Sequence, residues 1–210
     1  AAVRVDTEGT TVDLTFRSGL DGRLRVDGTA PLALVPEGFT RLDEDGEFSL
    51  FLDVENAPLA LLIGALPAFD NVEGVADGWG RFGGTLRAPS HHAELSIRDG
   101  RFTITALGQR VSDVEGVAVL DQDHLQLRHF RARDGDGGVS ARGEMTLRDL
   151  SPDRARLDIT LDGFPIRDEG AVVAALHGRG ALEATFSANR ADAKLTMRDL
   201  VVSLPRLGGP

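Results

Sequence analysis

The sequence predicts an all-β protein, an antiparallel meander of strands built from about two repeats. Three observations carry this. Apolar residues alternate with polar ones at a period of two through most of the 210 residues, which is the pattern of strands with one apolar face. Asp-Gly pairs punctuate the alternation at Asp21-Gly22, Asp45-Gly46, Asp99-Gly100, Asp134-Gly135 and Asp162-Gly163, and such dipeptides tolerate the positive φ of a tight hairpin turn. The stretch Ala93 to Ile104, AELSIRDGRFTI, recurs without a gap 100 residues later as Ala193 to Leu204, AKLTMRDLVVSL.

In chain order, the first runs are Val12-Leu14-Phe16, Leu24 to Leu32 and Phe48-Leu50-Leu52-Val54. Further strands are expected at Gly80 to Leu86, Leu95 to Ile97, Phe102 to Leu107, Val114 to Leu120, Leu125 to Ala132 and Val139 to Leu147. Leu157 to Leu161, Leu182 to Phe186 and Leu195 to Leu204 close the series. Two apolar segments break the period. Residues 56–69, NAPLALLIGALPAF, open with an Asn able to cap a helix and a Pro near its first turn, and residues 169–177, EGAVVAALH, resemble them in place and composition. Both are expected to be short helices at the repeat junctions. The repeat register extends upstream, where Gly78, Gly80 and Phe82 stand opposite Gly178, Gly180 and Leu182. Leu24, Val26 and Gly28 likewise match Val139, Ala141 and Gly143 at an offset of 115 residues. The chain therefore reads as one β unit over residues 1–210, with repeat units near 11–107 and 114–204.

The formal net charge is −10, from 23 basic and 33 acidic side chains, and this disfavours nucleic acid or an anionic membrane surface as partner. With no cysteine there is no disulfide and no thiolate metal site. No apolar run approaches the roughly 20 residues of a membrane helix. The opening AAVRVD has no Met and no signal-peptide pattern, and is read as the start of a piece excised from a longer protein.

Motifs that would carry chemistry fail in context. Gly78 to Gly83, GWGRFG, fits the G-x-G-x-x-G string, but a strand pattern follows it where a dinucleotide site needs a helix. Asp134-Gly-Asp136 and Asp43-Glu-Asp45 look like calcium loops, yet the twelfth positions are Met145 and Val54, which supply no bidentate carboxylate. The adjacent pair His91-His92 points to opposite faces of an extended chain and does not chelate, and His124, His129 and His177 are scattered. The nearest approach to a nucleophile motif, GVSARG around Ser140, continues as a strand. No catalytic residue, metal or cofactor is expected.

What remains is the apolar stripe. In the first copy it comprises Phe48, Leu50, Leu52, Val54, Phe82, Leu86, Leu95, Ile97, Phe102 and Ile104. In the second it comprises Leu125, Leu127, Val139, Met145, Leu147, Leu157, Ile159, Leu161, Leu182, Phe186, Leu195 and Met197. Two facing sheets would bury such a stripe as a sandwich core, and a single sheet would leave it available to a ligand.

Gly84-Thr-Leu-Arg-Ala-Pro89 followed by Glu94 to Phe102, the related Leu195 to Pro205, and the strand pair Leu125 to Leu147 resemble the TamB and AsmA-like family of bacterial envelope proteins. The resemblance implies a U-shaped sheet, open along one side, with an apolar concave face and a charged convex one. It implies phospholipid acyl chains as ligand, passing along the groove between the inner and outer membranes in support of outer-membrane biogenesis. It further implies a periplasmic location in a diderm bacterium, an inner-membrane anchor outside these residues and an outer-membrane partner barrel of the TamA type. A second role on the same resemblance is a chaperone module that receives strands of outer-membrane β-barrel clients at its open edges.

Overall fold

A computed structural model describes residues 2–6, 9–18, 22–30, 32–34, 40–42, 44–64, 67–85, 87–105, 108–148, 151–168, 171–187 and 190–204. The elements of the N-terminal half are β1 (Ala2–Asp6), β2 (Gly9–Ser18), β3 (Gly22–Ala30), β4 (Leu32–Leu34), β5 (Thr40–Leu42), β6 (Phe48–Pro58), α1 (Ala60–Ile63), β7 (Phe69–Gly84) and β8 (Pro89–Ile104). Then come β9 (Gln109–Asp121), β10 (His124–Asp134), β11 (Gly137–Arg148), β12 (Ser151–Asp168), β13 (Ala171–Ser187) and β14 (Arg190–Ser203). Among the described residues the protein is all-β, with one open antiparallel sheet of twelve strands in the order β1-β2-β3-β6-β7-β8-β9-β10-β11-β12-β13-β14. β4 and β5 pair separately as a ribbon. Apart from that ribbon, which is inserted between β3 and β6, strands consecutive in sequence are neighbours in the sheet.

The chain forms two compact units. The first comprises residues 1–57, 76–95 and 120–122, and the second 58–75, 96–119 and 123–210. In the first unit, β3 sets Leu24 opposite Val54, Val26 opposite Leu52 and Gly28 opposite Leu50, so one face is apolar. On the other face Arg23 pairs with Asp53 at 3.2 Å and with Glu55 at 2.7 Å.

In the second unit the compact core is Phe102, Val111, Val114 and Ala132, packed by Ile63, Phe69, Val72, Phe130 and Phe164. Phe69 meets Phe102 edge to face with ring centroids 5.0 Å apart. Beside this core sits a polar clamp. The buried Asp134 at the end of β10 accepts from Arg167 Nη2 at 2.6 Å and Nε at 2.9 Å, and Gln109 Nε2 donates to Asp134 and to the Pro165 carbonyl. Hydrogen bonding to Asp134, aided by charge attraction and opposed by desolvation, raises the Arg167 pKa above its ordinary value. A raised basic pKa gives stability that is fully present below the unfolded value and lost as pH rises through the folded one. The clamp's guanidinium is therefore charged throughout the neutral range.

Two expectations are corrected. Residues 171–177 are strand, not helix: they begin β13, where the β-branched Val172 stands opposite Arg167, and Leu176 pairs with Phe164 on one side and Val202 on the other. Among its described residues the junction at 56–69 holds only the single turn α1, with Leu59 as N-cap and no side-chain cap. Asn56 belongs to β6 at φ 44° and its N–H donates to Asp77. Gly64 ends the turn, and Leu59 is tied by its N–H to the Gly74 carbonyl.

Two of the Asp-Gly pairs also play a different part from the one expected. Asp134-Gly135 does turn the chain between β10 and β11, with Gly135 at φ 58°. Asp99, at φ 52°, and Gly163, at φ 62°, instead lie inside the long strands β8 and β12. At Gly163 the register shifts between Leu161 and Phe164, a bulge that absorbs the positive φ without ending the strand.

The repeat-equivalent glycines Gly28 and Gly143 have one physical task. A Cβ on Gly28 would run into the Ser49 carbonyl, and one on Gly143 into the Arg156 carbonyl and the Leu157 backbone. Gly143→Ala is expected to lower stability by about 2 kcal/mol, read as a lower urea midpoint. Gly116→Ala, where the nearest atom would lie at ordinary contact distance, 3.4 Å, is expected to be close to neutral.

Candidate functional site

The register of β10 to β14 in the second unit decides which side chains share a face. One row runs Leu127, Gly143, Leu157, Leu182, Leu195, and its neighbour runs Phe130, Ala141, Ile159, Gly180, Met197. Flanking them are Leu125, Met145, Ala155, Ala184, Ala193 on one side and Ala132, Val139, Leu161, Gly178 on the other. Phe186 stands opposite Ala191, and Leu147 opposite Pro152. These rows contain no charged side chain. The period-two alternation thus projects every second residue of five successive strands onto one apolar face.

The opposite face is a charged ladder. Glu144, Arg156, Glu183 and Lys194 form a row in which sign alternates from strand to strand, continued on β10 by the neutral Gln126. A one-residue slip would place these charges among the leucines, so the ladder and the stripe together specify register.

The second unit has no second sheet among its described residues, so its apolar face is not the inner wall of a sandwich. The face is graded. Phe102 and Val114 are buried at the α1 end, Leu157, Ile159, Leu161, Leu182, Phe186 and Met197 are half-buried, and Leu195 on β14 is 56% exposed. Ile97 and Ile104 pack against the buried core, as does Val139. In the first unit, Phe48, Leu50 and Leu52 are half-buried while Val54 is buried. Leu95 lies against Gly78, and the Phe82 ring against Gly80. Leu86 lies outside the described residues.

Three depressions in the second unit open on the charged face, not the apolar one. The most extensive, about 740 Å³, is lined by Glu144, Arg154, Arg156, Glu183, Asp192 and Lys194. The other two, of about 280 and 450 Å³, are walled by Arg128, Arg142 and Asp158, and by Glu115, Arg133 and Asp162. The apolar concavity implied by the resemblance is not among them.

Reasoning from alternation missed Phe130, Ala132, Phe164, Leu176 and Val202 as members of this face. Register shifts between Leu127 and Phe130 and between Leu161 and Phe164 change the phase. The only trace of the second in the sequence is its Asp-Gly pair.

The remaining motifs are absorbed by the sheet. Gly78 to Gly83 lies within β7 and Ser140 within β11. Asp134 serves the clamp. His92 Nδ1 lies 3.1 Å from Asp121, His177 Nδ1 accepts from the Gly163 N–H, and the Trp79 ring stands 5.5 Å from His92. Among the described residues no three His, Cys, Asp or Glu side chains are grouped to hold a metal, and no helix is long and apolar enough to cross a membrane. Compared with known protein families, curated proteins and solved structures, the chain matches none.

Proposed function

We propose that the apolar face binds phospholipid acyl chains, and that the chain is a section of an envelope bridge of the TamB and AsmA-like kind, its sheet curved into a groove along which lipid passes between the membranes. In that reading the protein works in the periplasm of a diderm bacterium, with an inner-membrane anchor beyond these residues and an outer-membrane barrel as partner. No cofactor and no catalytic group is required.

The observation that supports it most is the uncharged face carried across five strands, in a unit with no second sheet among its described residues. Exposed apolar surface on that scale invites a ligand held by area. Each methylene buried there is worth roughly 0.8 kcal/mol, so an acyl chain needs no polar anchor along its length.

The test uses Leu195→Asp, because a residue 56% exposed accepts a carboxylate without unfolding the sheet. Thr196→Asp, one residue on and facing the charged side, is its control. Native mass spectrometry with lipid extraction, on protein purified gently from bacteria, is expected to find phospholipid on the wild type and on Thr196→Asp. Loss of two or three methylene contacts, about 2 kcal/mol, should weaken the affinity of Leu195→Asp for lipid about thirtyfold and lower its occupancy accordingly. A lipid-free wild type, or equal occupancy in all three, would overturn the reading.

A further inference from the structure

Positions 77 and 177 do the same work in the two repeats with different chemistry. They lie 100 residues apart, each directly before one of the matched glycines Gly78 and Gly178. In the first copy Asn56 takes φ 44°, and its N–H donates to Asp77 Oδ1 at 2.9 Å. In the second, Gly163 takes φ 62°, and its N–H donates to His177 Nδ1 at 3.0 Å. The ladder shows why an acceptor is needed there. Leu161 pairs with Gly178 and Phe164 with Leu176, so Asp162 and Gly163 together stand opposite His177. A bulge of this kind takes an N–H out of the ladder, and the side chain across from it supplies the acceptor.

The two acceptors differ in one respect. A carboxyl oxygen accepts in either protonation state, whereas an imidazole nitrogen accepts only while it carries no proton. Asp162 Oδ1 lies 3.3 Å from the same Nδ1 of His177. Gly163 and Asp162 therefore make opposite demands on one atom, since the N–H needs its lone pair and the carboxylate needs a proton there. We infer that His177 is a proton-operated latch on the β12 bulge. Neutral, with its proton on Nε2, it holds the Gly163 N–H; protonated at Nδ1 as well, it donates to Asp162 and releases Gly163. Imidazole is the side chain that changes charge between pH 5 and 8. Val201 stands opposite His177 on β14, Arg179 follows it on β13 with Arg198 across from it, and Asp199 lies in the β14 bulge. On β11 Gly138 meets Asp162, and Asp136 lines the depression beside it. Among the described residues, Asp162 is the acid within ion-pair reach of the ring. What the latch holds is the joint where β12 passes from Leu161, in the half-buried apolar rows, to Phe164, packed on the Phe102 core. Acid loosens this joint in the second unit and leaves its Asp77 counterpart in the first unit closed. The inference is independent of whether acyl chains bind the apolar face.

The test follows the amide and imidazole resonances of the 210-residue chain by NMR from pH 8 to pH 5, the range in which an imidazole changes charge. At pH 8 the His177 ring is expected to carry its proton on Nε2. On acidification the Gly163 amide proton should shift upfield with the same midpoint as the His177 ring. Its exchange protection, taken against the unfolded chain's rate at each pH, should fall about fivefold, the worth of one hydrogen bond. The Asn56 amide should hold its position over the same range. In His177→Asn, whose amide oxygen accepts at every pH, the Gly163 amide should stay in place as well. A proton on Nδ1 at pH 8, or a Gly163 amide that does not move as His177 protonates, would overturn the proposal. So would an Asn56 amide moving in step with Gly163, or an unchanged Gly163 titration in His177→Asn. The wild-type titration decides the matter even if that variant does not fold.

Discussion

Replacing Arg167 by methionine is expected to destabilise the chain by about 3 kcal/mol, because it leaves the Asp134 carboxylate buried with only Gln109 to answer it. Asp134 is 6% exposed, while the Arg167 side chain keeps 25% of its surface in solvent, so losing the cation costs more than losing the anion, whose partner still reaches water. The double variant Asp134→Asn with Arg167→Met removes the stranded charge. It should recover more than half of the loss, since an amide in that position is neutral and bonds Gln109. Urea unfolding of wild type, both single variants and the double variant closes the cycle. If Arg167→Met unfolds with the wild-type midpoint, the clamp contributes nothing, and the seam joining β9, β10 and β12 is held by its apolar contacts alone.

That clamp also marks where sequence reasoning stopped. Its three members lie 25 and 33 residues from one another along the chain, and nothing in the alternation shows that Gln109 and Arg167 converge on the acid of an Asp-Gly turn. The strands themselves were legible, because a half-buried strand must alternate and a five-strand face repeats that alternation many times over. Leu157, Ile159 and Leu161 with Leu182 and Leu195 could be placed on one side by counting in twos, and the ladder agrees. Counting in twos fails where one extra residue enters a strand, and this is why Phe130 and Phe164 were missed. It fails again where composition mimics a helix. Residues 171–177 are apolar enough for one, but with partners for pairing on both sides the β-branched Val172 and Val173 extend. Asp-Gly is ambiguous for a similar reason. Its tolerance of positive φ serves a hairpin at Asp134-Gly135 and a bulge at Asp162-Gly163, and only the neighbouring strand decides which.

Phe102→Ala is expected to cost about 3 to 4 kcal/mol, whereas Leu195→Ala, on the same kind of apolar residue, should cost well under about 1 kcal/mol. Both side chains belong to the apolar stripe read from the sequence, so the contrast measures the grading of the face directly. Phe102 is 8% exposed and wedged among Val111, Val114 and Ala132, with the Phe69 ring against its edge; removing it leaves a cavity that a rigid sheet cannot close. Leu195 stands on the outermost strand with more than half its surface already in water, and its truncation forfeits little burial. Thermal or urea unfolding of the two variants checks this. Similar losses at both positions would mean that Leu195 is covered in solution, which would count against the proposal that acyl chains bind there. The expected disparity means that stability is concentrated at the α1 end of the stripe, so the acyl ligand proposed for this face would exchange at the β14 end without unfolding the sheet that presents it.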